Sequence, residues 1–300
     1  MKTIRIILAC AMFISVSAVL CFAAEQKTFM TPGEAVKALM AAVESNNQDE
    51  LVAIFGEDGK DLVSSGDDVQ DKNSRAGFLK SYKTKHVIVT EDANTRVLQV
   101  GAKNWELPIP IVLADGKWHF DTAAGKQELL YRRIGDNELG AIAVCRGAIA
   151  SQLDYAAVGH DGLPAGIYAE KLRSDPGKHN GLYWEVVGGE EPSPAGPFLA
   201  QAAEEGYQKG DPYHGYYYRG LKAQGAAAKG GAKSYVVDGV LKGGVALIAY
   251  PAQYKGSGVM TFIINQNGVV YQKDLGENTT ELAKAITEYN PDSTWKKVTD

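Results

Sequence analysis

Across residues 243–275, GGVALIAYPAQYKGSGVMTFIINQNGVVYQKDL, three apolar runs separated by turn residues predict three β-strands. The runs are 245–250, closed by Pro251, then 259–265 and 269–273. Between the last two, Asn267-Gly268 is the pair that most readily takes positive φ at both central positions, which predicts a two-residue hairpin. Val259, Met260, Phe262, Ile263 and Ile264 leave no polar face, so the middle strand is expected to be covered on both sides, at the centre of a core.

Upstream the periodicity is helical. Thr31-Pro32-Gly33-Glu34 forms a capping box with proline in the first turn, and Val36, Leu39, Met40 and Val43 then share one face. A second helix is predicted from Asp49 through Leu51, Val52, Ile54 and Phe55 to a closing Gly56, and a third over 75–82 with Phe78, Leu79 and Tyr82 together. Alternation then predicts strands at 86–90, 96–100 and 105–113. After the Asp115-Gly116 turn a fourth follows at 117–121, with Trp118 and Phe120 opposite His119. Pro108 and Pro110 cannot donate to a ladder, so their strand is expected at an edge or irregular. Helices followed by an antiparallel meander resemble the cone-shaped architecture of nuclear-transport-factor-2-like domains.

A new helix is predicted from Asp136, with Leu139, Ile142, Cys145, Ile149, Leu153 and Ala156 as its apolar stripe up to Gly159. It is expected to lie across the sheet of the opening stretch, to which 216–221 and 234–237 add strands. A Gly- and Pro-rich segment, 161–212, separates them and holds one short helix at 197–205. The small-residue loop 225–231 is a connector. Asn278-Thr279-Thr280-Glu281 opens a last helix with Leu282, Ala285, Ile286 and Tyr289 inward, before a loose tail. This half is similar to the globular part of type IV pilins and pseudopilins. The pilin helix continues upstream as a hydrophobic assembly spine, whereas here another domain precedes it, so pilus-subunit function is not implied. The expected fold is α+β: residues 24–128 as helices on a curved antiparallel sheet, then 129–300 as a long helix on an antiparallel sheet.

With 45% hydrophobic and 22% charged residues the chain is globular in type, and 300 residues suffice for two cores. Residues 1–23 differ. Lys2 and Arg5 precede an uncharged apolar run ending in Ala23 and Ala24, the pattern of a secretory signal peptide cleaved after Ala23, which places the chain in the periplasm. The alternative is an uncleaved anchor over 6–24. Cleavage removes two cations, taking the formal charge from −5 to −7, and no basic stripe remains, so nucleic acid is not an expected partner. It also removes Cys10 and Cys21, leaving Cys145 alone on an apolar stripe, where a buried inert thiol is expected. His86, His119, His160, His179 and His214 show no ligand spacing, so no metal or cofactor is indicated.

Five segments, RIGDNELGAIAVCRGAIASQLDYA, PGKHNGLYW, PYHGYYYR, SYVVDG and SGVMTFIINQNGVVYQKDLG, closely resemble an exported bacterial family, domain of unknown function 2950. The resemblance runs from about Thr31 to the C-terminus and implies export without an assigned reaction. Gly220 stands where an aliphatic residue is expected.

The candidate site is Tyr213, His214, Tyr216, Tyr218 and Arg219. Strand alternation sends Tyr216 and Tyr218 to one face and Tyr217 and Arg219 to the other, with His214 at the strand's start. Aromatic bodies with polar tips suit a binding surface, and Arg219 suits a carboxylate. Cross-strand packing explains the same residues without a ligand. Three roles follow: a non-enzymatic module binding an envelope ligand or protein, an envelope hydrolase activating water through His214, or a non-polymerising pilin-like scaffold. In the first unit, Trp105, Trp118 and Tyr82 are candidates for lining a second pocket.

Overall fold

The computed structural model describes residues 26–186, 188–189 and 191–299. The leader at 1–23 and the alternative anchor at 6–24 lie outside the described residues. Helix α1 (Pro32–Glu44) starts at the expected Thr31 cap, whose Oγ1 accepts from Glu34 N at 3.2 Å, while the Glu34 carboxylate reaches one residue further back than a capping box does and accepts from Met30 N at 3.0 Å. Asn47 caps α2 (Gln48–Phe55), and a single turn, α3 (Lys60–Val63), follows. Helix α4 (Asp68–Thr84) starts well before residue 75, because Asp67 Oδ1 accepts from Gln70 N at 2.9 Å and provides a start upstream.

Strands β1 (His86–Thr90), β2 (Thr95–Val100), β3 (Trp105–Glu106), β4 (Ile111–Ala114) and β5 (Lys117–Phe120) form an antiparallel sheet in the order β1-β2-β4-β5, with β3 on β2. The single strand expected at 105–113 is interrupted where Pro108 and Pro110 cannot donate. Val36, Leu39, Ile54, Leu98, Ile111 and Phe120 close the first core between helices and sheet.

One helix, α5 (Thr122–Ala157), runs 36 residues, about 54 Å at 1.5 Å per residue. It starts not at Asp136 but at Asp121, whose carboxylate accepts from Ala124 N at 3.1 Å. Neither Gly135 nor Asp136 breaks it. The inward stripe is Asn137, Ala141, Cys145 and Ile149, at four-residue spacing, while Leu139 is 68% exposed and Leu153 also faces out. Cys145 and Ile149 lie on it as expected and Ile142 packs beside it, but hydrophobicity alone put Leu139 at its start in place of the polar Asn137.

The second unit comprises α6 (Gly196–Glu205), β6 (Tyr216–Leu221), β7 (Ala223–Gln224), β8 (Lys233–Ser234), β9 (Val236–Val237), β10 (Val240–Leu241), β11 (Ala246–Pro251), β12 (Met260–Asn265), β13 (Tyr271–Asp274), α7 (Thr279–Ala285) and β14 (Lys296–Lys297). Its main sheet is antiparallel throughout, ordered β14-β13-β12-β11-β6, so β6 is an edge strand. Helix α5 covers one face and α7 the other, and Phe262, Ile263 and Ile264 of the central β12 are fully buried. Each such side chain contributes about 1.5–3 kcal/mol relative to exposure.

Four features differ from what the sequence pattern predicts. Residues 234–237 form two small ribbons, β7 with β8 and β9 with β10, outside the main sheet. The tail is tied down, since β14 pairs β13 and Val298 N donates to Val270 O at 3.0 Å. The hairpin is not a two-residue turn. Asn265 Oδ1 accepts from Asn267 N, only Gly268 takes positive φ, and the strand resumes at Tyr271. In α7, Ala283 points inward while Leu282 and Ala285 are exposed; Ile286 and Tyr289 do pack on the core, but from beyond the end of the helix, where Tyr289 bridges Gln224.

Helix α5 is seated on the first unit through Gly125, where an added Cβ would lie 2.4 Å from Pro108 O and 2.7 Å from Ile109 Cα. Alanine's better helix propensity offsets at most about 1 kcal/mol of that clash, and backbone cannot step aside as a side chain tip can. Gly125→Ala is therefore expected to lower the unfolding free energy by about 1–3 kcal/mol in urea melts. An unchanged midpoint would mean that the helix slides freely over the Pro108 loop.

Candidate functional site

Midway along α5 the two units meet in a polar junction. Arg133 donates to Asp61 O and Leu62 O, Asn137 accepts from Gln70 Nε2 and donates to Ser257 O at 2.8 Å, and Glu138 accepts from Val259 N and Met260 N, both at 3.0 Å. Fully buried Asp67 has Oδ2 accepting from Gly215 N at 2.8 Å and from the Tyr207 hydroxyl at 3.1 Å. Burial raises the Asp67 carboxyl above its ordinary value, outweighing the N–H groups of Gln70 and Gly215 that lower it.

This junction positions the start of β6. His214 and Gly215 both take left-handed φ, 49° and 72°, and Tyr213 turns back to exchange backbone hydrogen bonds with Tyr216. Glycine is required at 215, since a Cβ there would lie 2.5 Å from Asn137 Nδ2.

The five candidate residues then separate. Tyr216 is fully buried and its hydroxyl donates to Met260 O at 2.9 Å, a packing role. Arg219 is used to close α7, donating to Ala283 O at 3.0 Å and Ile286 O at 2.6 Å. His214 lies over Gly140, with Nε2 3.8 Å from Glu205 Oε2 and its ring 4.2 Å from that of Tyr213. Burial and the Glu205 carboxylate push the Tyr213 hydroxyl up to about 12. Tyr218 donates to Tyr213 O at 3.1 Å, and desolvation lifts its hydroxyl far above the ordinary tyrosine value. Both hydroxyls therefore remain protonated donors at neutral pH.

Tyr213, Tyr218 and Arg219 line a groove of about 920 Å³, near the upper end of the size usual for small-molecule sites. Its floor is the outer half of α5, through Val144, Ala148, Ile149 and Gln152. One wall is α6, whose Phe198 packs over Gly147. The other is a strap, residues 169–176, held to α5 by the Gln152 amide, which both donates to and accepts from the Ala169 backbone at 2.9 Å. The edge strand closes the groove, whose floor is apolar and whose walls and edge carry Glu170, Lys171, Arg173, Asp175, Lys209 and Lys222 among others.

Sequence reasoning missed Asp67, Tyr207 and the strap. Asp67 was findable, because Asp-x-x-Gln at 67–70 is a capping pattern. The other candidates do not assemble. Trp118 is buried, Trp105 is partly exposed against Phe78, and Tyr82 stacks on His86 at 3.8 Å. Cys145 is fully buried, which pushes its thiol up to about 12. His160 stacks on Tyr155 and His179 on Trp184, and among the described residues no group of three or more His, Cys, Asp or Glu is placed to hold a metal. Among the same residues no helix is long and apolar enough to cross a membrane.

Asp67→Ala strands three donors and is expected to cost about 1–3 kcal/mol in urea melts at neutral pH. A raised carboxyl contributes stability that is complete below about 3.9, the unfolded value, and is lost as pH rises through the folded value. Asp67→Asn is accordingly expected to flatten part of the fall in stability above that pH. An identical pH profile in both proteins would show that this carboxyl is not perturbed.

A family model described as "Protein of unknown function (DUF2950)" matches residues 26–298. No curated protein and no solved structure matches the chain. The match spans both cores, the junction and the groove, and the chain belongs to the DUF2950 family.

Proposed function

We infer that this protein is a non-enzymatic binding module of the cell envelope, exported by its leader, and that its ligand or partner occupies the groove between α5, α6, the strap and β6. The observation carrying this reading is the groove itself: about 920 Å³, with an apolar floor on α5 and charged and polar side chains along the strap and the edge strand. The Cys145 thiol is buried and raised, and the Tyr207, Tyr213 and Tyr218 hydroxyls stay protonated. The reading takes the first unit as a cone-shaped, nuclear-transport-factor-2-like domain and the second as pilin-like. Export rests on Lys2, Arg5 and the apolar run up to Ala24.

One observation favours a second reading, a hydrolase activating water through His214: the imidazole beside Glu205 and Tyr213 at a strained backbone position. Turnover of an ester, peptide or glycan panel that disappears in His214→Ala would establish it.

The binding reading is tested by native mass spectrometry of protein purified gently from its own envelope. A discrete bound mass is expected on the wild type. It is expected to be absent from Ala148→Trp, in which the indole fills the groove floor, with the melting temperature kept. Two bare proteins, or the same mass on both, would contradict it.

A further inference from the structure

Register decides which backbone groups of β6 are already used. Pro251 stands opposite Tyr216, and Ala252 N donates to Gly215 O, so Tyr216 is a non-hydrogen-bonded partner in that ladder. Alternation follows along the strand. Tyr217, Arg219 and Leu221 direct N–H and C=O to β11, while Tyr216, Tyr218, Gly220 and Lys222 direct theirs outward. At one end the outward groups are taken, because Tyr216 exchanges two bonds with Tyr213. At the other, Lys222 O accepts from Tyr235 N at 2.9 Å. Between them, the N–H and C=O of Tyr218 and Gly220 and the N–H of Lys222 have no partner among the described residues.

This open stretch spans about 13 Å at ~3.3 Å per residue, and residues 217–222 all line the groove. Edge strands are ordinarily blunted by proline, a bulge or a covering segment. Here the position that exposes most backbone is Gly220, where an added Cβ would meet nothing closer than Ala246 O at 4.0 Å. Local packing does not require glycine there. A row of alternating free donors and acceptors beside an apolar floor is matched by extended polypeptide, which supplies the same groups at the same repeat.

We propose that β6 is a docking edge. An extended polypeptide segment, apolar at alternate positions and carrying an acidic residue, adds to the five-stranded sheet as a further strand inside the groove. The proposal rests on the groove being the binding site. Residues of α6 and the strap flank the edge, which suits a single strand better than the broad edge of a second copy. The acidic preference follows from the balance of charge in the lining: Lys171, Arg173, Lys209, Arg219 and Lys222 face Glu170, Asp175 and Asp211, and once Lys171–Asp175 and Lys222–Glu170 pair, Arg173 and Lys209 still outnumber Asp211.

The test uses a phage-displayed random decapeptide library selected on the full protein, followed by the selected peptide in fluorescence anisotropy. Selected sequences are expected to alternate apolar residues and to carry Asp or Glu. Binding is expected to weaken about tenfold or more when the backbone is N-methylated at alternate residues in one register, and to survive methylation in the other. Gly220→Pro, which removes one outward donor and leaves the β11 ladder intact, is expected to lose binding similarly, while Gly220→Ala retains it. Peptides that bind with no register dependence would overturn strand addition and leave the groove reading standing. So would a small molecule seen by native mass spectrometry with no peptide selected. A dimer abolished by Gly220→Pro, with no peptide selected, would assign the edge to a second copy and overturn the peptide. Neither peptide nor bound mass would sink both readings.

Discussion

Everything downstream depends on the buried polar junction at the middle of α5. A single uninterrupted helix serves both cores, so the register of one core along the helix fixes that of the other. Arg133, Asn137 and Glu138 occupy little more than one turn and bond to both units at once. Buried polar groups stabilise modestly when satisfied and cost heavily when a partner is missing, and Gln70 Oε1 is buried here without a hydrogen-bond partner among the described residues. The junction therefore acts more as a specification of geometry than as a source of stability. Asp67 extends it by holding Gly215, and the absence of a side chain at 215 lets β6 begin against Asn137.

Fixing the start of β6 also fixes the groove. The same helix that carries the junction supplies the groove floor two turns later, and the strap is tied to it at Gln152. Both walls are lightly packed. In the strap only Ala169 is buried, and in α6 no residue is, the helix resting on α5 through Phe198 at Gly147. Elements with few buried contacts are the ones that yield first, so the groove pairs a firm floor with yielding walls.

Much of this was legible in the chain. The cap at Thr31, the apolar β12 and the alternating faces of β6 follow from local chemistry, and local chemistry decided them. The long-range features were not legible. The continuity of α5 was hidden because Asp136 followed by Glu138 looks like a helix start, and its inward stripe begins with a polar residue whose partners lie 67 and 120 positions away. Tyr213 and Tyr218, singled out by type and spacing, line the groove. The use of Arg219 in closing α7 depends on carbonyls more than 60 residues downstream, which no local pattern reveals. The strap lies in a Gly- and Pro-rich segment, where turn residues give no periodicity to read.

The central claim is that β6 is an edge left open within a preformed groove. Residue-resolved amide hydrogen exchange of the free protein tests it most directly. Slow exchange is predicted at Tyr217 and Arg219, whose N–H groups bond to β11, alternating with fast exchange at Tyr218 and Gly220. Uniform protection along 217–220 would mean that the edge is already covered, and would contradict the account.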